Sequence, residues 1–183
     1  MTQRETHDIV IAGVKRSLPK IEIQPGVTIA ILNILGDTEL VQASARALAA
    51  LLADKGGKFI VTPETKSIPL AHALSVELGI PYVVLRKSHK PYMGDAIQSE
   101  TLSITTGSPQ TLYLDEKDRE LIKGQPVIVL DDVISTGSTL QGMRLILQKV
   151  DAQIVAEAAI LTEGDRAQWH NIIALGHIPV WVN

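Results

Sequence analysis

Residues 127–140 read Val-Ile-Val-Leu-Asp-Asp-Val-Ile-Ser-Thr-Gly-Ser-Thr-Leu, and this segment constrains the fold more than any other. The four apolar residues Val127 to Leu130 predict a short buried strand with Asp131 and Asp132 at its carboxyl end. A loop of hydroxyl residues around one glycine follows, Ser135-Thr136-Gly137-Ser138-Thr139. Leu140, Met143, Leu147 and Val150 then recur at helical spacing. A strand, a small-residue turn and a helix start together form an anion site, because unpaired N–H groups and the helix dipole both face the turn. Two carboxylates beside it would repel a bare phosphate. The ligand should therefore also offer hydroxyls or a metal, which describes a sugar phosphate. A nucleotide P-loop is excluded, since no Gly-x4-Gly-Lys-Ser/Thr pattern is present here.

An apolar strand, Asp-Asp, two apolar residues and then Ser-Thr-Gly-x-Thr closely resembles the phosphoribosyl-diphosphate signature of type I phosphoribosyltransferases. The resemblance implies that Ser135, Thr136, Gly137, Ser138 and Thr139 wrap a 5-phosphate. It also implies that Asp131 and Asp132 hold the ribose hydroxyls, directly or through Mg2+ and water, as the catalytic pair. The alternative is an ordinary strand-turn-helix whose carboxylates cap something local.

Two further turns carry charge. Val61-Thr62-Pro63-Glu64-Thr65-Lys66-Ser67 leads from a strand into a helix, with Ser67 as N-cap and Pro69 in the first turn. Lys66 beside free helix N–H groups makes a second anion site. The equivalent turn in the family binds pyrophosphate, which would place Glu64, Thr65, Lys66 and Ser67 on the donor. Tyr82-Val83-Val84-Leu85-Arg86-Lys87 delivers two cations at a third strand end. Parallel neighbours bring their carboxyl ends together, so Arg86, Lys87, Lys66 and the Asp pair should surround one crevice. Lys90, just beyond, joins the substrate-binding set. Read without the resemblance, these are a capped helix and solvated cations.

Strand and helix patterns alternate along the chain: Lys58 to Thr62, Ser67 to Leu78 closed by Gly79, Tyr82 to Leu85, Val127 to Leu130 and Ile154 to Leu161. Thr38 to Asp54 reads as an amphipathic helix with Asp37 as N-cap. The expected class is α/β, a parallel twisted Rossmann-like sheet flanked by helices. Residues 1–35 differ: Ile9 to Val14, Lys20 to Ile23 and Val27 to Leu32 are strand-like and broken by Pro19 and Pro25-Gly26. They resemble the small N-terminal β hood of adenine phosphoribosyltransferases, without the aromatic and Arg-Asp that commonly follow there; Ile29, Ala30 and Ile31 stand instead. The remainder, 36–183, is the expected core; Arg86 to about Tyr113 shows no settled periodicity, which is uncommon unless a stretch is a lid or disordered, and the resemblance implies a mobile lid at 88–113. Its Thr105-Thr106-Gly107 replaces the Glu-Tyr-Gly of the adenine enzymes, so adenine turnover should be slow. None of His7, His72, His89, His170 and His177 shows metal-ligand spacing.

Composition narrows the classes. A net charge of −3 gives no general attraction to nucleic acid, and no apolar run approaches the roughly 18 residues of a membrane span. There is no cysteine, hence no disulfide or thiolate chemistry. The polar N-terminus shows no secretory pattern, so a cytoplasmic location is expected. The resemblance implies Mg2+-dependent transfer of ribose 5-phosphate from phosphoribosyl diphosphate (PRPP) to a purine-like nucleobase, adenine or a related purine. It further implies pyrophosphate release, a place in purine salvage, and a homodimer. The competing class is a non-catalytic PRPP sensor, because the lid and Leu112-Tyr113-Leu114 also resemble the ligand domain of purine repressors.

Overall fold

The chain begins with an antiparallel ribbon. β1 (Thr6–Ile11) turns at Ala12-Gly13 into β2 (Val14–Gln24), and β3 (Val27–Ala30) follows the Pro25-Gly26 turn. Ala12 and Gly13 take φ of 49° and 82°, the positive values that close a two-residue hairpin. This turn falls inside a segment that the sequence reads as one strand. Nor does Pro19 break the ribbon: β2 runs through it, Lys20 supplies the N–H bonded to the Glu5 carbonyl (2.9 Å), and Pro19 accepts from Ile31 N–H (2.9 Å). The structure is a computed structural model and describes residues 5–102 and 109–182.

Helix α1 (Thr38–Leu52) starts where Asp37 accepts from the Leu40 N–H at 3.1 Å, and Arg16 clamps the same carboxylate through two nitrogens at 2.7 Å each. Its apolar face buries Leu40, Ala45, Leu48 and Leu52. Each buried leucine contributes roughly 1.5–3 kcal/mol. Then come β4 (Phe59–Pro63), α2 (Ile68–Leu78), ended by Gly79 at φ 67°, and β5 (Tyr82–Leu85).

The segment after β5 is more ordered than its sequence suggests. It contains a 3₁₀ turn at Pro91–Met93, the antiparallel hairpin β6 (Ile97–Leu102) and β7 (Pro109–Leu114), and α3 (Glu116–Ile122), capped by Asp115. Leu112 and Leu114 are fully buried. The expected lid residues Thr105, Thr106 and Gly107 lie outside the described residues. The chain closes with β8 (Pro126–Ile134), α4 (Ser138–Lys149), β9 (Gln153–Glu163), a 3₁₀ turn at Arg166–Trp169, β10 (Ile173–Ile178) and β11 (Trp181–Val182). The hairpin packs on α4: Ser99 Oγ donates to the Gly142 carbonyl (2.8 Å), where a Cβ on Gly142 would come within 3.1 Å of Leu112.

The central sheet is parallel in the order β10-β9-β8-β4-β5. One apolar cluster joins α1, α2 and the N-terminal ribbon on one face; a second joins α3, α4 and the hairpin on the other. The expected α/β class with an N-terminal antiparallel unit is therefore what the chain adopts. β11 pairs with β3, so the C-terminal residues complete the ribbon's sheet. Trp181 sits there with Lys20 Nζ 4.2 Å above its ring. Among the described residues no helix is long and apolar enough to cross a membrane.

Strand order reverses between β4 and β8, and a crevice opens beyond the carboxyl ends of strands at such a point. Here β8 differs from expectation. Its pairing with β9 continues through Asp131, Val133 and Ile134, whereas its pairing with β4 stops at Val129. Asp131 and Asp132 thus lie within a strand, at the place where one neighbour has already turned away.

Candidate active site

Three adjoining cavities occupy this crevice. The smallest, about 80 Å³, is lined by Asp131, Val133, Ile134 and every residue from Ser135 to Leu140. Gly137 takes φ 77° and ψ 2°, which glycine tolerates without a Cβ clash, and so lets the chain turn from β8 into α4. The N-cap Gly137 gives α4 no side-chain cap; Ser138 N–H donates to Thr136 Oγ1 at 3.5 Å, and the other N–H groups of the first turn have no intrahelical acceptor. Thr136 Oγ1 and Ser138 Oγ lie 3.1 Å apart, and Thr139 Oγ1 donates to Gln110 Oε1 at 3.3 Å, linking the cup to β7.

The second cavity, about 190 Å³, joins Pro63, Glu64, Thr65, Lys66, Ser67, Lys87, Asp131, Asp132, Val133 and Thr139. Ser67 occupies the N-cap position of α2, yet its side chain does not cap the helix. Its hydroxyl donates instead to Asp131 Oδ1 (3.0 Å), which also accepts the Asp132 N–H (2.8 Å). The expected capping role is therefore replaced by a link across the crevice, because a buried carboxylate left without donors is costly. Asp131 and Asp132 are only 7% and 8% exposed. Burial, then the neighbouring Asp132 charge, pushes the Asp131 carboxyl far above the ordinary range.

Among the described residues, Asp132 Oδ2 is buried without a hydrogen-bond partner; Lys66 Nζ is 3.8 Å away. An orphaned carboxylate oxygen is costly unless a cation or ligand donor completes it. Among the described residues no three His, Cys, Asp or Glu side chains cluster to cage a metal. The orphaned Asp132 oxygen and the adjoining Asp131 carboxylate are donors that fit an ion such as Mg2+, which keeps several waters and takes one or two carboxylates plus substrate oxygens.

Glu64 accepts from Arg86 Nε (3.0 Å) and from the Lys87 N–H (2.9 Å), and these bonds hold its carboxyl below the ordinary range. Arg86 also donates to Tyr92 Oη (2.8 Å), and its backbone bridges to Tyr113. Arg86 therefore ties the Glu64 turn, the Pro91–Met93 turn and β7 together at the rim, while Lys87 reaches the cavity wall. Lys90 lines none of the three cavities, although its charge acts on Glu64.

The third cavity, about 480 Å³, lies between the ribbon and the Ser135–Thr139 loop. Ile23, Ile29, Ala30, Ile31 and Leu32 form one wall, with no aromatic among them; Lys66, Gln110, Val133, Ser135 and Glu163 face them. Glu163, Gln110 and Trp169 are absent from the sequence-based site. The sequence ends its last strand at Leu161, but β9 carries on to Glu163. A carboxylate followed by glycine after an apolar run was the available signal, parallel to the Asp pair that ends the run on β8.

The model of the phosphoribosyl transferase domain family matches residues 32–174, and the chain belongs to that family. It is 30% identical over 166 residues to the purine biosynthesis transcriptional repressor PurR of Bacillus subtilis, covering 90% of this chain and 57% of that protein. It is 37% identical over 116 residues to the hypoxanthine/guanine phosphoribosyltransferase of Methanosarcina mazei, covering 62% of this chain and 57% of that one. The chain thus spans little more than half the length of these relatives. Its fold is shared with adenine phosphoribosyltransferase from Giardia lamblia, solved with 9-deazaadenine (TM-score 0.72, 18% identity, 87% of this chain and 93% of that chain). The enzyme from Thermoanaerobacter pseudethanolicus is similar (TM-score 0.68, 20% identity, 94% and 95%).

Proposed function

We propose that this protein transfers ribose 5-phosphate from PRPP to a purine-like base and releases pyrophosphate. The observation that carries the reading is the junction of the three cavities around Asp131 and Asp132. The cup of Ser135 to Thr139 suits a 5-phosphate, with α4 supplying N–H donors and a favourable dipole. The Glu64–Ser67 turn, Lys66 and Lys87 suit the pyrophosphate; Arg86, held by Glu64, positions that turn, and Lys90 adds charge at the rim. The wider cavity under residues 1–35 suits the base. In the reaction the bond from C1 of the ribose to pyrophosphate breaks, a bond from C1 to a ring nitrogen forms, and the base loses a proton. Asp131 and Asp132 face the sugar, where their charge stabilises a ribose ring that becomes cationic. Lys66 and Lys87 stabilise the charge that leaves with pyrophosphate. A bound Mg2+ would add further neutralisation of the leaving phosphates.

In this reading residues 1–35 act as a hood, 36–183 as the catalytic core and 88–113 as a lid that keeps water out. The protein works as a cytoplasmic homodimer in purine salvage. Steady-state release of pyrophosphate, screened over adenine, guanine, hypoxanthine, xanthine, uracil and orotate, tests it. One base should support turnover well above the rate without base.

One observation favours a second reading, a PRPP-binding sensor: the match to the Bacillus repressor runs over 90% of the chain. Tight PRPP binding with no pyrophosphate release from any base would select it.

A further inference from the structure

Glu163 has no part in the chemistry described so far, yet it occupies a costly position. It is 5% exposed, ends β9 beside the phosphate loop, and lines the cavity assigned to the base. The surrounding wall is largely aliphatic: Ile29, Ala30, Ile31, Leu32 and Val133. A buried carboxylate in such a place is expensive unless donors reach it. Burial raises the Glu163 carboxyl above the ordinary range, and the neighbouring Ser135 hydroxyl offsets part of that rise. The backbone is fixed, since Trp169 Nε1 donates to the Glu163 carbonyl (2.9 Å) and the Gly164 N–H donates to the Ile178 carbonyl (3.2 Å). The side chain is thus held on a rigid strand end rather than on a free loop.

We propose that Glu163 reads the base. An ionised carboxylate only accepts hydrogen bonds, so it selects a ring edge carrying donors and repels a carbonyl oxygen. The ring edge with two adjacent donors is an amino group next to a ring N–H. Guanine presents it at N1 and the 2-amino group. Adenine presents it at N7 and the 6-amino group, in the tautomer that leaves N9 free to attack the ribose. Hypoxanthine and xanthine have no amino group to offer. Glu163 is therefore a specificity-determining residue for aminopurines. This inference rests on the PRPP-site reading above, and it assigns the selectivity of that site to one side chain.

The test must not depend on turnover. Mg2+ and PRPP are first titrated into the parent chain and into Glu163→Gln by calorimetry. The four purines are then titrated separately into each protein loaded with ribose 5-phosphate and pyrophosphate, a mixture that cannot react with a free base. The parent should bind adenine or guanine about tenfold or more tightly than hypoxanthine, as expected for a donor pair meeting a charged acceptor. Glu163→Gln, nearly the same shape, should still bind PRPP in a Mg2+-dependent way while the preference for aminopurines collapses. Glu163→Asp, which keeps the charge but withdraws it, should weaken all aminopurines and retain their order. Equal selectivity in the parent and Glu163→Gln, with PRPP binding intact in both, overturns this inference alone. A parent chain that does not bind PRPP overturns the site reading and this inference with it.

Discussion

The indole of Trp169 closes over Gly137: a Cβ built on that glycine would lie 2.8 Å from Trp169 Cη2. Gly137 also holds φ at 77°. Two independent constraints therefore exclude a side chain at the centre of the Ser135–Thr139 loop. One is the backbone conformation, the other a wall supplied from beyond β9.

Gly137→Val should accordingly weaken PRPP binding about tenfold, or about 1.4 kcal/mol. The valine must displace Trp169 and strain the turn at once. Calorimetry at fixed Mg2+ measures this directly; an unchanged affinity would show that the loop does not shape the phosphate site.

Trp169 should also report occupancy. There are two tryptophans, Trp169 and Trp181, and Trp181 lies in the N-terminal sheet opposite Thr28 and lines none of the three cavities. In Trp181→Phe protein, PRPP should shift the remaining emission as the cup fills. A spectrum that stays constant at saturating PRPP would place the phosphate elsewhere.

How far the sequence foretold this site depends on which interactions are local. Asp131, Asp132 and the Ser135–Thr139 turn lie within nine residues of each other, so one strand-turn-helix pattern revealed them all. The α/β order was legible because periodicity changes sharply between β4, α2 and β5. The hairpin β6–β7 was not, since its inward residues Leu112 and Leu114 are buried by α4, a partner remote in sequence. The sequence around Ser67 suggests only a helix cap, because its bond to Asp131 spans 64 positions. Glu163 and Trp169 were missed for the same reason: each matters only through what the fold sets beside it.

The Asp pair makes a pH prediction. The Asp131 carboxyl is raised in the folded protein by burial and by Asp132. Above its unfolded value, about 3.9, the folded state then binds more protons than the unfolded state, so stability falls as pH rises into the neutral range. Asp131→Asn removes that loss. Without Mg2+ or PRPP, it should melt about 2–4 °C higher than the parent at neutral pH for each kcal/mol relieved, and the gap should close in acid. A variant that melts lower at neutral pH would contradict the assigned electrostatics.

Arg86→Ala should loosen the rim, because Glu64 loses its partner while the Lys87 N–H remains. Pyrophosphate affinity should fall while the protein still binds ribose 5-phosphate, as competition titrations with each ligand would reveal. Equal losses for both would mean that Arg86 supports the whole fold rather than this turn.

The central claim is that Asp131 and Asp132 serve a ligand and not the fold. Titration of PRPP with Mg2+ into the parent chain and into the Asp131→Asn, Asp132→Asn double variant tests it most directly. The parent should show one Mg2+-dependent site per chain. The double variant should lose that binding while it remains folded and at least as heat-stable. Binding of equal strength in both proteins would contradict it.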